Sequence, residues 1–402
     1  MTSEETPRET EGNRTDDRSQ EFRTGAVVSI AGAHAVHDTY TAFLPPLLPA
    51  FINRWALSKT EAGLLSVFFQ APSLLQPFIG HLADQRGLRH LVILGPALAS
   101  VVMSLLGVAP GYAAAALLLM VAGFVNAGFH SVAPVTTGIL SGRGLGRGLG
   151  FFMLGGELGR TLGPIIVVSV VAHWSLGHTV WLMPLGFLAS AFLYVQLRGI
   201  STHPPHAQST ESWRSALKGM RPVMLPLVGI VFVRSLVLVA ITTYLPVYLS
   251  ERGVSLWFAG AALTILEGAG VLGAISGGWI SDRMGRRPVL VFSQLVTPVL
   301  LFLFLWLRGG LLVPVLLCIG FSALCTGPVL LALVQESFPR NRALANGVYM
   351  LINFIVRSGA IILVGVAGDL FGLTRSFAVG AVLMFVGTPL IALLPTKQAS
   401  HP

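Results

Sequence analysis

Two stretches of the chain follow one pattern: Gly80-His-Leu-Ala-Asp84-Gln-Arg86-Gly87-Leu-Arg89 and Gly278-Trp-Ile-Ser-Asp282-Arg283-Met-Gly285-Arg286-Arg287. In each, the aspartate follows the first glycine by four residues and precedes the second glycine by three. The second copy begins 198 residues after the first. Two further markers repeat at offsets of 197 and 201 residues: Gly150/Arg160 with Gly347/Arg357, and Leu44-Pro45 with Leu245-Pro246. Three markers at nearly one offset predict two parallel halves.

The composition is that of an integral membrane protein. Hydrophobic residues make up 53% of the chain and charged residues 11%, whereas soluble domains are about 25% charged. The mean hydropathy is +0.76. A membrane core about 30 Å thick needs roughly 20 apolar residues per helix, and the abundance of glycine and proline is compatible with packed membrane helices.

The apolar segments predict an all-α membrane protein of about twelve transmembrane helices. We number these predicted helices 1 to 12 in the order 25–51, 60–82, 90–109, 112–139, 145–172, 178–197, 221–249, 257–280, 288–307, 311–336, 343–368 and 376–395. The predicted domains are a disordered tail, an N-terminal six-helix bundle, a linker, a C-terminal six-helix bundle and a second tail, at 1–24, 25–197, 198–220, 221–395 and 396–402.

The distribution of basic residues predicts the topology. With the N-terminus inside, thirteen lysines and arginines fall in cytoplasmic loops: Arg86, Arg89, Arg143, Arg147, Arg198, Arg214, Lys218, Arg221, Arg283, Arg286, Arg287, Arg340 and Arg342. Five fall in outer loops: Arg54, Lys59, Arg252, Arg308 and Arg375. This positive-inside bias predicts cytoplasmic termini in the cell inner membrane. The net charge of +9 is then expected to face anionic membrane lipids, and no nucleic-acid partner is expected.

No cofactor, metal site or enzymatic activity is predicted. Cys318 and Cys325 lie seven residues apart on one apolar helix, and His203 and His206 lie in the predicted linker. Neither the cysteine pair on its apolar helix nor the histidine pair in the linker forms a metal-binding motif. The glycine-rich stretch Gly142–Gly150 falls in a predicted turn between two membrane helices and follows no strand, so it is not expected to bind a nucleotide.

With these motifs in place, the chain resembles the major facilitator superfamily over about residues 25–395. The glycine–aspartate–glycine loop with trailing arginines is that family's signature after helices 2 and 8. A narrower resemblance is to the fosmidomycin-resistance branch of drug exporters, and it rests on Phe69-Gln70-Ala-Pro-Ser-Leu-Leu-Gln76-Pro77, Phe129-His130, Gly155-Gly156-Glu-Leu-Gly159, Gly163-Pro164 and Gln335-Glu336 followed by Pro339. The chain departs from that branch after His130, where Ser131 and Val132 replace Pro-Glu, and at Arg160.

The resemblance implies two conformational elements. The first is a latch at the cytoplasmic face, formed by Gly80, Asp84, Arg86, Gly87, Arg89, Gly278, Asp282, Arg283, Gly285, Arg286 and Arg287. Its aspartates would accept hydrogen bonds from a helix N-terminus or an arginine; the alternative is that the arginines only set topology. The second is an antiporter-like helix 5, with Gly159, Gly163 and Pro164, for which plain helix packing is the alternative.

Ionisable residues at membrane depth are costly and mark candidate functional groups. They are Asp38, Glu157, Glu267, Arg160, Arg234 and Arg357. For Asp38, with His34 four residues before it on the same helix face, and for Glu157, we predict proton coupling. For Arg160, Arg357, Arg234, Glu267 and His130 we predict substrate contact. The alternative is that the charges are buried structural pairs, such as Glu157 with Arg160 or Glu267 with Arg234.

The sequence therefore predicts a monomeric secondary transporter whose partners are protons, lipids and a small-molecule substrate. Proton-coupled export of small polar or anionic compounds, phosphonate drugs included, is the leading interpretation. Uptake or exchange of a metabolite anion is an alternative within transport. A membrane sensor or lipid-handling protein that transports nothing is the alternative from another class.

Overall fold

The structure is a computed structural model that describes residues 22–79, 82, 88–198, 213–338 and 342–394. Among these residues the secondary structure is helical and contains no strand. In the described part of the chain, eleven helices are long and apolar enough to cross a membrane, and the first predicted span is a further helix that is broken in two. The all-α membrane prediction is confirmed. The two predicted tails and most of the linker lie outside the described residues.

We label the helices α1 to α12. Their bounds are α1 Thr24–Thr41 and Leu44–Trp55; α2 Lys59–Gln70, continued by a 3₁₀ segment; α3 Arg89–Ser104; α4 Tyr112–Leu140; α5 Leu145–His173; α6 Met183–Leu197; α7 Trp213–Thr242 and Leu245–Glu251; α8 Leu256–Met284; α9 Arg286–Trp306; α10 Leu312–Leu324 and Thr326–Ser337; α11 Arg342–Phe371; α12 Leu373–Val386. We call α1 to α6 the N-half and α7 to α12 the C-half.

The breaks in α1 and α7 are equivalent in the two halves. The second segment of α1 begins at Leu44 and that of α7 at Leu245, each with proline in its first two positions. Proline suits the first turn of a helix, because the backbone N–H that it lacks would have no partner within the helix there. The weakest of the three sequence markers therefore corresponds to a real structural repeat.

Glycines of α5 pack directly on the backbone of α1. A methyl group on Gly155, Gly159 or Gly163 would collide with the carbonyl oxygen of Ala31, Ala35 or Thr39, respectively. The glycines are four residues apart, and so are the carbonyls that they meet. Because small residues let helix backbones approach closely in membranes, this stripe sets the distance between α1 and α5.

The two halves meet through α2 with α11 and α5 with α8. Asp369 of α11 accepts hydrogen bonds from the backbone N–H groups of Lys59 (2.7 Å) and Thr60 (3.0 Å) at the start of α2. The Thr60 hydroxyl donates to the same carboxylate at 2.6 Å. Lys59 also forms an ion pair of 2.9 Å with Glu251. A carboxylate of one half thus caps a helix N-terminus of the other, where the helix dipole favours negative charge.

Further contacts extend this interface toward the middle of the bundle. Thr264 of α8 accepts from the backbone N–H of Ile165 at 3.2 Å, and Trp257 donates to Ser169 at 3.1 Å. We call the face that carries Lys59 and Asp369 the far face, and the opposite face, which carries both described chain ends, the termini face. Among the described residues, the hydrogen bonds and ion pairs that join the halves lie between the middle of the bundle and the far face.

The glycine stripe predicts a large effect of one methyl group. We expect Gly159→Ala to lower the melting temperature of the detergent-purified protein by several degrees, because overpacking costs about 1–3 kcal/mol. Gly150→Ala, in the same helix but with no atom within 4 Å of the added methyl, is the matched control. Intrinsic tryptophan fluorescence on heating measures both. Equal melting temperatures for the two variants would contradict the close α1–α5 contact.

The far-face cap predicts a conformational effect of a single carboxylate. Asp369→Ala removes three hydrogen bonds between the halves, so we expect the halves to separate more often at the far face. Electron–electron distance measurements between spin labels at Arg54 and Arg308 should then show an added, longer distance. Glu61→Ala is the control, because the Glu61 carboxylate bonds only to Ser58 in its own half. An unchanged distance distribution in Asp369→Ala would be inconsistent with this role.

Candidate functional site

The broken helices enclose a polar cavity near the middle of the bundle. Its volume is about 210 Å³. It is lined by residues at both breaks and by side chains of α2, α5, α8 and α11: Thr41, Ala42, Leu44, Pro45, Ser66, Phe69, Gln70, Arg160, Pro164, Thr242, Thr243, Leu263, Glu267 and Arg357. Irregular backbone at membrane depth is tolerated where it lines such a cavity.

Two arginines from opposite halves line this one cavity, and we call them the arginine pair. Arg160 comes from α5 and Arg357 from α11. Arg160 forms an ion pair with Glu157 one turn earlier in α5, the pair that their spacing predicts. Arg357 donates to the Thr242 hydroxyl at 3.0 Å. Glu267 of α8 interacts electrostatically with both arginines.

The charges around the arginine pair leave room for an anion. Glu157 neutralises Arg160 directly. Arg357 has a neutral hydroxyl as its hydrogen-bond partner in the described part of the chain, with Glu267 as the more distant opposite charge. A guanidinium group offers paired donors that match carboxylate and phosphate geometry. The two guanidinium groups therefore make the cavity a candidate site for a small anion between the two halves.

A second group of ionisable residues lies within the N-half, and we call it the acid–histidine cluster: His34 and Asp38 of α1 with His130 of α4. His34 Nε2 lies 3.3 Å from Asp38 Oδ2, and His130 Nε2 lies 3.5 Å from Asp38 Oδ1. The two imidazole Nε2 atoms are 3.2 Å apart. His34 and Asp38 are each 3% exposed, whereas the His130 side chain is 29% exposed, so solvent reaches the cluster on the His130 side.

Backbone carbonyls fix the tautomers of both histidines. The Nδ1 atom of His34 lies 2.7 Å from the carbonyl oxygen of Phe152, and that of His130 lies 3.1 Å from the carbonyl oxygen of Asn126. A carbonyl oxygen can only accept, so each Nδ1 carries a hydrogen. In neutral rings, both Nε2 lone pairs then face each other and the Asp38 carboxylate. Such a group of acceptors is stable only with a cation among them.

The acid–histidine cluster and the arginine pair are connected through α5. A methyl group on Gly156 would lie 3.1 Å from Asp38 Oδ2, and one on Gly159 would lie 2.8 Å from Asp38 Cβ. Arg160 directly follows Gly159, and it interacts electrostatically with Asp38 and His130. A change in the charge of the cluster therefore changes the electrostatic potential at Arg160 of the arginine pair.

Arg234 lies apart from the central cavity. It is buried in the C-half, where a guanidinium nitrogen donates to the carbonyl oxygen of Ala323 at 3.2 Å. The suggested ion pair of Arg234 with Glu267 does not form, because Arg234 faces the α10 backbone and Glu267 faces the arginine pair. His130 is also absent from the cavity lining, since its ring faces Asp38.

The second copy of the repeated loop makes contacts within its own half. Arg286 pairs with Asp282 at 2.6 Å and with Glu336 of α10 at 2.7 Å. Gly285 has φ +91°, a conformation that favours glycine, and Arg287 donates to the carbonyl oxygens of Ala392 and Leu394. The first copy, with Gly80, Asp84, Arg86 and Gly87, lies outside the described residues, so the latch between the halves stays a prediction.

Several residues of the site have no clear signal in the sequence. The carbonyls of Phe152 and Asn126 orient the histidines through backbone atoms, which no side-chain pattern reveals. Thr242 is one of many membrane threonines. Asp369 does have a signal, because an acid in the last turn of a helix opposes the helix dipole, and such a placement suggests a partner on another element.

Comparison with known proteins agrees with this architecture. The family model for the Major Facilitator Superfamily matches residues 30–361. The fosmidomycin resistance protein of Escherichia coli (strain K12) is 24% identical over 386 residues, which are 93% of this chain and 93% of that protein. The probable 4-methylmuconolactone transporter of Cupriavidus pinatubonensis is 24% identical over 372 residues, which are 88% of this chain and 86% of that protein.

A solved structure shows the same fold. It is the crystal structure of a bacterial homologue of the human lysosomal transporter Spinster, in an inward-facing and unoccupied conformation. The TM-score is 0.73 at 14% sequence identity, and the match covers 93% of this chain and 95% of that chain. The chain belongs to the Major Facilitator Superfamily and is a multi-pass membrane transporter, not an enzyme.

Proposed function

We propose that this transporter exports small anionic or polar compounds from the cytoplasm, drugs included, in exchange for protons. The observation that supports it most is the arginine pair, one arginine from each half, in a single central cavity. A substrate anion held by both arginines contacts both moving halves at once. Binding at the interface of two repeats is the arrangement on which alternating access depends.

The acid–histidine cluster is the proposed proton site. Its three acceptors need a cation, and a proton held on one Nε2 supplies the smallest one. His34 and Asp38 of the cluster are the predicted proton-coupling residues, and His130 joins them in this role. Glu157 has a different task in this proposal, because it neutralises Arg160 until the substrate displaces it. The halves reorient with a substrate on the arginine pair or with a proton on the cluster, which yields exchange.

The orientation follows from the basic loops. With both termini in the cytoplasm of an inner-membrane protein, the far face is the outer face. The cap of Asp369 on α2 then closes the outer side, and the described conformation is inward-facing. One chain contains one complete cavity, so the proposed transport unit is a monomer. The repeated loops with Asp84 and Asp282 would close the cytoplasmic face in the opposite, outward-facing state.

Two observations favour export over uptake. The glycine stripe of α5, with Gly159, Gly163 and Pro164, is similar to the antiporter motif of exporting family members. A relative that aligns over nearly the full length is named for fosmidomycin resistance, and export is a route to resistance. One observation favours the alternative of anion uptake: a protonated cluster beside Arg160 attracts an anion, as a proton–anion symporter requires.

Transport of fosmidomycin into proteoliposomes under an imposed pH gradient distinguishes export by antiport from uptake by symport. For an antiporter, protons that leave an acid lumen drive the drug inward, so acid-inside vesicles should accumulate it against its gradient. Accumulation in acid-outside vesicles would instead establish symport and contradict antiport. Equilibration without accumulation under either gradient would contradict proton coupling.

The arginine pair should be required for this transport. We expect Arg160→Ala and Arg357→Ala each to lower the initial rate about tenfold or more, because a hydrogen bond to a charged group contributes about 1.5–3 kcal/mol. Arg308→Ala removes an exposed arginine at the far face, outside the cavity, and should leave the rate unchanged. Full transport by both cavity variants would remove the assignment of the substrate site.

A further inference from the structure

We propose that His34, Asp38 and His130 form a binding site for a divalent transition-metal ion of the Zn²⁺ class. The inference goes beyond the proposed transport function but uses the same atoms, because a metal ion and the proposed proton would compete for the two Nε2 atoms of the cluster. The sequence gives no metal-ligand spacing, because the ligands come from helices α1 and α4 and lie 96 residues apart between His34 and His130. The fold brings their ligand atoms within 4.8 Å of one another.

The separations between the ligand atoms fit a tetrahedral metal ion. Zinc binds imidazole nitrogen at about 2.0–2.1 Å, so two ligands of a tetrahedral ion lie roughly 3.3–3.4 Å apart. The two Nε2 atoms lie 3.2 Å apart, and each has a different Asp38 oxygen beside it, Oδ2 at 3.3 Å from His34 and Oδ1 at 3.5 Å from His130. With one ligand atom taken from each residue, all three lie within 4.8 Å of one another. The two nitrogens are therefore spaced as a tetrahedral ion requires, and a rotation of the Asp38 carboxylate would bring one of its oxygens to the same ion.

The surroundings prepare both histidines for metal binding. Each presents a bare Nε2 because its Nδ1–H donates to a carbonyl oxygen, of Phe152 for His34 and of Asn126 for His130. This is the arrangement that fixes the tautomer of metal-bound histidines. The His34 ring also stacks on Phe152 with centroids 4.0 Å apart, so its orientation is held before any ion arrives.

The donor set indicates the class of metal. Two imidazole nitrogens and one carboxylate suit zinc, cobalt, nickel and copper, whereas magnesium and calcium prefer oxygen ligands only. The Asp38 Oδ1 atom is buried and has no hydrogen-bond partner. The His130 side chain is 29% exposed, which leaves access for a fourth ligand such as water.

Gly156 keeps the ion's position free. A methyl group there would lie 2.7 Å from His34 Nε2 and 3.1 Å from Asp38 Oδ2. An alanine would therefore occupy the space between these ligand atoms while it leaves all three ligands in the chain. Gly156→Ala and loss of a ligand are thus two independent ways to abolish the site.

Calorimetric titration of the detergent-purified full-length protein with ZnCl₂, without a histidine tag, tests the proposal. We expect one saturable site per chain, with intense visible absorption bands when Co²⁺ replaces Zn²⁺, as tetrahedral cobalt shows. His130→Gln and Gly156→Ala should each weaken zinc binding at least about tenfold, the lower end of the effect of disturbing a metal site. His178→Gln, which alters a half-buried histidine that bonds to Ser175 outside the cluster, should not change it.

Two results would overturn the proposal. One is the absence of a saturable zinc site in the wild-type protein, and the other is zinc binding that His34→Gln and His130→Gln leave unchanged. If Gly156→Ala lowers the melting temperature strongly, the two glutamine variants decide the question, because each removes a ligand atom and adds no methyl group at the contact with α5. Zinc binding is measured without transport, so its failure leaves the antiport proposal standing, and the reverse also holds.

Discussion

Gly155, Gly159 and Gly163 of α5 lie against three carbonyl oxygens of α1 that are four residues apart, and the arrangement of the charges depends on this contact. No side chain other than hydrogen fits there. The close approach leaves the neighbouring position, Gly156, beside His34 and Asp38, and it directs Glu157 and Arg160 to the other flank of the same helix. Close packing and hydrogen bonds, and not the hydrophobic effect, hold membrane helices together. The stripe of small residues is therefore the packing surface between α1 and α5, and it also sets the distance between the two helices.

Burying charges in a membrane is costly, and here the charges of the arginine pair and of the acid–histidine cluster have compensating arrangements that transport can change. Glu157 forms an ion pair with Arg160. Arg357 donates a hydrogen bond to Thr242 and interacts electrostatically with Glu267. The acid–histidine cluster requires a cation among its acceptor atoms. These groups lie on α1, α4, α5, α7, α8 and α11, and so on both halves. A change in charge at any of them alters the balance across the interface between the halves, which is the physical basis for coupling an ion to a conformational change.

Much of this architecture could be predicted from the sequence, and the rest depends on geometry that it does not contain. The repeat offset predicted that Arg160 and Arg357 occupy equivalent positions in the two halves. Both line one cavity because the halves are related by that repeat. Asp38 and His34 were predicted as neighbours from helical spacing. The sequence did not place His130 beside them, because the contact between α4 and α1 arises from tertiary packing, which helical spacing does not reveal. For Arg234 the sequence predicted a substrate contact from its depth in the membrane. In the structure its side chain faces the α10 backbone and not the cavity, because of the face of α7 on which it lies.

In the proposed exchange, the acid–histidine cluster couples the proton gradient to a substrate site on the arginine pair. The most direct measurement compares two modes of fosmidomycin transport by Asp38→Asn in proteoliposomes: accumulation driven by a pH gradient, and exchange of labelled for unlabelled drug without a gradient. We expect the variant to lose accumulation and to keep exchange, because the arginine pair stays intact. Accumulation at the wild-type level in Asp38→Asn, with the pH gradient as the only driving force, would contradict it.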